Sequence, residues 1–120
     1  MSNYEDLAVW KLAHELVLDI YKITKRFPSD EKYRLTDQLC RAALSIPLNI
    51  CEGSGRNTHK DFAHFLYIAR GSLHETQYII TLARDIGLVD NDEWLHLADK
   101  CNSIGKMLNS LIRHISSEEK

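Results

Sequence analysis

Apolar side chains recur at steps of three and four residues along almost the whole chain, and this spacing is the strongest constraint on its fold. It places apolar side chains on one face of an α-helix, whereas a half-buried β-strand requires alternation at every second residue. Only two prolines and five glycines interrupt the pattern, and alternation at period two is absent from the sequence. The sequence therefore predicts an all-α protein.

The first two helices are delimited by proline and glycine. Helix 1 is expected to span about residues 7–26, because the residue before Pro28 avoids helical backbone angles. Its expected buried side chains share one helical face: Trp10, Ala13, Val17, Ile20, Thr24 and Phe27. Ser29 or Asp30 is expected to cap helix 2, and the glycines of residues 53–55 should end it.

Polar capping residues mark the starts of the last two helices. Thr58 is expected to cap helix 3. The buried face of helix 3 should extend to Ile86, and Gly87 should stop the helix. Asp90 is followed three residues later by Glu93, which is the spacing of a reciprocal capping box at the start of helix 4.

Four amphipathic helices joined by short links are expected to pack as an antiparallel up-down-up-down four-helix bundle, each helix about 30 Å long. The chain of 120 residues shows no internal repeat or linker, so residues 1–120 are expected to form a single domain. Its three cysteines form no CxxC pair and suit reduced thiols. Neither a membrane span nor a signal peptide is recognisable, so a cytoplasmic protein without membrane contact is expected.

Residues 41–56, RAALSIPLNICEGSGR, carry more apolar surface than one helix of a monomeric bundle needs to bury. Polar side chains form a stripe within an arc of about 80°: Arg41, Ser45, Asn49, Glu52 and Arg56. Beside the expected core residues lies a second apolar flank: Leu44, Pro47, Leu48 and Cys51. A neighbouring subunit is the simplest cover for this flank, and packing within the monomer is the alternative.

Pro47 is expected to kink helix 2, because it lacks the amide hydrogen that would bond to the Ala43 carbonyl and its ring displaces that carbonyl. Ser45 and Asn49 lie near this carbonyl in sequence and could help to satisfy it. The glycines of residues 53–55 then allow a tight reversal that no side chain obstructs.

The net charge is only −2, but the charges are unevenly distributed. Residues 22–70 hold nine basic and five acidic side chains, whereas both flanking segments are acidic. A nucleic-acid surface would use cations on phosphates and rings for stacking or hydrogen bonding. The candidates are Arg41, Arg56, His59, Lys60, Tyr67, Arg70 and His74. Alternatively, Arg41 and Glu52 form a structural ion pair, within the chain or across a subunit boundary.

Two acid-x-x-His spacings, at residues 61–64 and 93–96, match the motif that di-iron helical bundles use twice, with Glu15 and Glu52 as candidate bridging acids. In an antiparallel pair, the starts of helices 3 and 4 lie at opposite ends, about 30 Å apart, so the two spacings cannot share a metal site. No HExxH, nucleophile elbow or Walker loop occurs in the sequence. The sequence therefore predicts a protein with no catalytic residues, no metal and no cofactor.

Three segments closely resemble the small bacterial four-helix-bundle proteins of the 23S rRNA intervening-sequence family: LAVWKLAHELVLDIYKITKRFP, LTDQLCRAALSIPLNICEGSGR and DFAHFLYIARGSLHET. That family is related to the accessory variability protein of diversity-generating retroelements. The resemblance covers about residues 4–90, and helix 4 matches only in its apolar spacing. It implies an antiparallel four-helix bundle assembled into a ring of five, with nucleic acid as the suspected ligand. In the retroelement relatives a reverse transcriptase is the partner, and for most family members no molecular activity is established.

The patterns SIPxNIxEGxGR and FLxIARGSLxE carry most of this resemblance. The matching positions are Trp10, Arg41, Ser45, Pro47, Asn49, Glu52, Gly53, Gly55, Arg56, Arg70, Gly71, Ser72 and Glu75. Leu48 and Cys51 depart from the pattern, because small alanines are more typical of the family there. The chain is also mildly acidic, whereas the retroelement relatives are basic.

The expected function is that of a non-enzymatic homo-oligomer, a pentamer by resemblance, which associates with nucleic acid through a basic surface on helices 2 and 3. The alternative is a scaffold that binds a polypeptide partner, such as a reverse transcriptase, without contacting nucleic acid. The candidate subunit contacts are Trp10, Leu44, Ser45, Pro47, Leu48, Asn49, Cys51 and Glu52.

Overall fold

The computed structural model of the protein describes residues 3–118, and four α-helices make up most of this range. They are α1 (Ala8–Thr24), α2 (Asp37–Ser54), α3 (His59–Asp85) and α4 (Asn91–Glu118). Residues 3–118 contain no β-strand, and the four helices pack against one another as a bundle. The predicted all-α four-helix bundle is confirmed. No helix within residues 3–118 is long and apolar enough to cross a membrane.

The entry to α2 differs from the prediction. A 3₁₀ turn (Ser29–Glu31) and a π-helical turn (Lys32–Thr36) lead into the helix. Pro28 precedes the 3₁₀ turn and Thr36 precedes α2, and neither side chain forms a capping hydrogen bond. The prediction that Ser29 or Asp30 caps the helix is therefore wrong. An N-cap residue normally has extended backbone angles, whereas this chain reaches α2 through turns that are already helical.

The other helix ends follow the sequence signals. The Asp61 amide donates to Thr58 Oγ1 at 3.1 Å, which confirms the cap of α3. At the start of α4, the Glu93 amide donates to Asp90 Oδ1 at 2.8 Å and the Asp90 amide donates to Glu93 Oε1 at 3.0 Å. Gly87 ends the turn after α3 with a φ of 85°, a left-handed conformation that glycine adopts without steric cost. These predictions are confirmed.

Successive helices contact each other around the bundle, so that α1 packs on α2, α2 on α3, α3 on α4 and α4 on α1. Contacting residues run in opposite order along α2 and α3: Gln38 bonds to Glu75, whereas Ser45 bonds to Ser72. This cyclic order places the edge between α1 and α2 across the bundle from the edge between α3 and α4. A kink at Pro47, which lies within α2, stays a prediction.

The core contains apolar side chains from all four helices. The largest fully buried ones are Leu16, Ile20, Leu39, Ile46, Ile50, Leu66, Leu73, Ile80, Leu97, Ile104 and Leu108. Ile86 was expected to belong to this core, but 51% of its surface is exposed. The helical register ends at Asp85, so Ile86 lies in the turn after α3 and leaves the buried face.

Gly53 serves packing between α2 and α3 rather than a reversal of the chain. A Cβ atom at this position would lie 2.8 Å from Phe65 Cβ and 2.9 Å from Phe62 Cδ1. Gly55 caps the end of α2 with ordinary right-handed angles, at a φ of −88°. The chain does turn between α2 and α3 directly after these glycines, but neither of them takes a positive φ, and the constraint at Gly53 is the close approach of α3.

Candidate binding surfaces

An aromatic and apolar groove lies between α1 and α2. Its lining residues are Tyr4, Trp10, His14, Leu44, Pro47, Leu48 and Cys51, and we call this set the α1–α2 surface. The Trp10 ring stacks on His14 with 5.1 Å between ring centroids, and Tyr4 packs edge-on against Trp10 at 5.1 Å. The second apolar flank of α2 therefore lies beside aromatic side chains of α1 and the short turn before it.

The α1–α2 surface is only partly covered within the chain. Leu48 is 56% exposed and Leu44 is 38% exposed, whereas Pro47 is buried and Cys51 is half-buried. A soluble monomer would normally bury or break up such a contiguous apolar surface. Burial within the monomer, the alternative considered for this flank, accounts for Pro47 but leaves more than half of Leu48 and over a third of Leu44 exposed.

The polar stripe of α2 is held by its own hydrogen bonds. The Asn49 side-chain amide donates to the Ser45 carbonyl at 2.7 Å and to Ser45 Oγ at 2.9 Å, and Ser72 Oγ of α3 donates to Ser45 Oγ at 2.8 Å. Asn49 thus serves the carbonyl of Ser45 rather than that of Ala43. Glu52 pairs with Arg56 at 3.2 Å, so within the chain its partner is Arg56 and not Arg41.

The candidate nucleic-acid residues fall on two parts of the molecule. Arg41 belongs to α2 and Arg56 to the turn that follows it, and the Arg56 guanidinium lies 4.7 Å from the centre of the Phe65 ring. The other five, His59, Lys60, Tyr67, Arg70 and His74, lie on the side of α3 that faces α4. Arg70 Nη1 donates to Asn109 Oδ1 of α4 at 3.0 Å. The expected continuous basic surface on helices 2 and 3 is therefore divided between two edges of α3.

A polar groove follows the seam between α3 and α4, and we call it the α3–α4 groove. One hollow is lined by His59, Lys60, Ala63, His64, Tyr67 and Ser116, and the next by Leu73, His74, Gln77, Cys101, Asn102, Gly105, Lys106 and Asn109. Arg70 and its partner Asn109 connect the two hollows. No carboxylate lines either hollow, although Glu118 lies at the end of the seam, 3.7 Å from His59.

The α4 side of this groove was missed by the sequence interpretation. Asn102, Lys106 and Asn109 are spaced by four and three residues, which places them on one helical face. This spacing was the only available signal, because the three residues match no motif. Which neighbouring helix they face depends on how the bundle closes.

The edge between α1 and α4 carries ion pairs. Asp19 lies 2.7 Å from Lys100 Nζ and 3.3 Å from His96 Nε2, and Arg26 pairs with Glu93. The hydrogen bond from Arg26 lowers the pKa of Glu93, and the Asp90 amide lowers it further. Glu93 is thus engaged in a helix cap and an ion pair. Within residues 3–118, no group of three His, Cys, Asp or Glu side chains is placed to hold a metal ion.

Cys101 is expected to resist alkylation in the folded protein. Its side chain is fully buried, and burial raises the pKa of the thiol to about 12, so almost no reactive thiolate forms near pH 8. Mass spectrometry after iodoacetamide treatment at pH 8 should find Cys101 unmodified in the native protein. The same treatment in guanidinium chloride should modify it fully. Rapid native labelling of Cys101 would contradict the buried position.

Comparison with known proteins identifies the family. A sequence model described as 23S rRNA-intervening sequence protein matches residues 5–110, which extends the resemblance into α4. Among solved structures, the chain is similar to the crystal structure, at 1.70 Å resolution, of a protein with unknown function from the S23 ribosomal protein family of Bacteroides thetaiotaomicron VPI-5482. The two share 24% identity over 88% of this chain and 98% of that chain, with a TM-score of 0.79, and this likeness supports the fold. No curated protein matches the sequence. Because the family match spans most of the chain, the protein belongs to the 23S rRNA-intervening sequence protein family.

Proposed function

We propose that the protein is a non-enzymatic helical scaffold whose identical copies associate through the α1–α2 surface. The observation that carries this proposal is the exposure of Leu48, 56% of whose surface is open beside Trp10 and Leu44. Burying contiguous apolar surface is the main driving force of stable association. A ring of five is the proposed assembly, and it rests on the resemblance to the family.

Replacing Leu48 with aspartate is expected to abolish the assembly. The new carboxylate would have to be buried without a partner at the subunit contact, which is strongly unfavourable. Light scattering should show a mass that falls from the oligomer to the 13.9 kDa protomer, and circular dichroism should show unchanged helix content.

Leu95→Asp is the matched control for this experiment. Leu95 is 52% exposed, but it lies near the start of α4, close to the Arg26–Glu93 ion pair, and it does not line the α1–α2 surface. This variant should keep the wild-type mass. Retention of the wild-type mass by Leu48→Asp, or a monomeric wild type, would overturn the proposed contact.

Nucleic acid is the ligand that we propose for this assembly. The description of the family refers to 23S rRNA, and the α3–α4 groove presents cations without lining carboxylates. A local positive field can attract a polyanion even when the net charge is −2. A scaffold that binds a polypeptide such as a reverse transcriptase is the second candidate, and the exposed α1–α2 surface favours it.

Salt dependence distinguishes the two candidates. Binding to phosphates weakens steeply as the salt concentration rises, because it releases counterions, whereas docking on an apolar surface changes little. A gel-shift series with RNA and DNA at 50 and 200 mM salt therefore tests the nucleic-acid proposal. Binding at low salt that is lost at higher salt supports it, and no shift at either concentration would remove it.

A further inference from the structure

We propose that the α3–α4 groove holds a single-stranded nucleic acid, with α4 supplying Asn102, Lys106 and Asn109 opposite the basic residues of α3. This inference rests on the nucleic-acid association proposed above. It goes further by naming the site, the form of the ligand and the contribution of α4. From His59 to Gln77 the groove extends about 27 Å along α3, which is long enough for several nucleotides.

The lysine and arginine side chains of the groove form no ion pair with the residues that line it. Elsewhere on the chain, Arg26, Arg56 and Lys100 pair with Glu93, Glu52 and Asp19. Arg70, by contrast, is held by the neutral amide of Asn109 and keeps its full charge for an incoming anion. Lys60 and Lys106 line the same groove, one in each hollow. No carboxylate lines the two hollows between these three cations, and Glu118 lies only at the end of the seam, beside His59. Such a row of cations can bind a phosphate chain.

The groove also contains groups that recognise bases. Tyr67 is 49% exposed, and the Arg70 guanidinium lies over its ring, 4.8 Å from the centre. Exposed aromatic rings and guanidinium groups are both surfaces on which unpaired bases stack. The side-chain amides of Gln77 and Asn102 line the second hollow. Each amide group both donates and accepts hydrogen bonds, as the edges of bases do.

The width of the groove favours a single strand over a duplex. The axes of neighbouring packed helices lie about 8 to 10 Å apart, so the seam between α3 and α4 is narrower than a double helix. Stacking on Tyr67 also requires a base that is neither paired nor stacked on adjacent bases, and such bases occur in single strands.

The test measures fluorescence anisotropy of a labelled 15-nucleotide single-stranded RNA at salt concentrations from 50 to 200 mM. With about three phosphate contacts, the logarithmic salt slope should be about −2, which corresponds to an affinity loss of about 20-fold over this range. Lys106→Ala should reduce the magnitude of that slope by about 0.7, and Tyr67→Ala should weaken binding about tenfold.

Arg56→Ala is the matched control, because Arg56 lies outside the groove lining and pairs with Glu52. Its affinity should stay within twofold of the wild type.

The outcomes separate this inference from the broader proposal. Wild-type binding that Lys106→Ala and Tyr67→Ala leave unchanged, in variants whose circular dichroism shows intact folding, would overturn the groove as the site but keep nucleic acid as the ligand. Equal affinity for a duplex of the same length would overturn the preference for a single strand. Equal binding of a poly-glutamate peptide would overturn nucleic acid as the class of ligand. No binding at 50 mM salt would overturn both the groove and the nucleic-acid function.

Discussion

Gly53→Ala is expected to lower the free energy of unfolding by about 1 to 3 kcal/mol, the usual cost of forcing an extra group into a packed interior. The added Cβ would lie 2.8 Å from Phe65 Cβ and 3.3 Å from the Phe62 carbonyl oxygen. These atoms are fixed by the backbone of α3, so they cannot move aside as the end of a flexible side chain can. Denaturant unfolding followed by circular dichroism, at one fixed protein concentration, measures the effect.

Gly71→Ala provides the matched control on α3. A Cβ at Gly71 would meet nothing within 4 Å, so only the helix propensity of the residue changes. Alanine is more favourable than glycine inside a helix by about 1 kcal/mol, and Gly71→Ala should therefore stabilise the fold. The same substitution is thus expected to have opposite effects at two helical positions. A stabilised Gly53→Ala variant would show that α2 and α3 are not so closely packed.

Leu16→Ala is expected to destabilise the fold by about 3 to 5 kcal/mol, because it removes a fully buried side chain and leaves a cavity among the four helices. Leu16 is 0% exposed, whereas Leu18 on the same helix is 56% exposed. Leu18→Ala should therefore change stability by less than about 0.5 kcal/mol. Chemical denaturation of the two variants compares them directly. Equal effects would contradict the described orientation of α1.

The burial of Leu16 also shows that a single apolar stripe does not predict every buried residue of a helix in a bundle. The spacing of helix 1 predicted burial of Ala13, Val17 and Ile20, which is confirmed, but it omitted Leu16. In the bundle, α1 packs against both α2 and α4, so its buried arc is wider than one stripe. Trp10, predicted on the same face, lies at the border of that arc and is only half-buried.

The candidate site was predicted less completely than the fold. His59, Tyr67 and Arg70, all candidates from the sequence, lie on one side of α3, because that relation depends only on helical spacing. Their expected continuity with Arg56 was an inference about tertiary structure. In the molecule Arg70 reaches Asn109 on α4, whereas Arg56 lies over Phe65 at the opposite edge of α3.

The sequence by itself determined the four helices, the caps of α3 and α4 and the apolar faces that drive the helices together. These features depend on hydrogen bonds and side-chain spacing within about four residues, as at Asp90 and Glu93. Only the tertiary structure decided that Gly53 must be small and that Lys106 lines a groove with Arg70. The physical reason is that such relations join residues far apart in the chain, and they arise from the order in which the four helices close around their core.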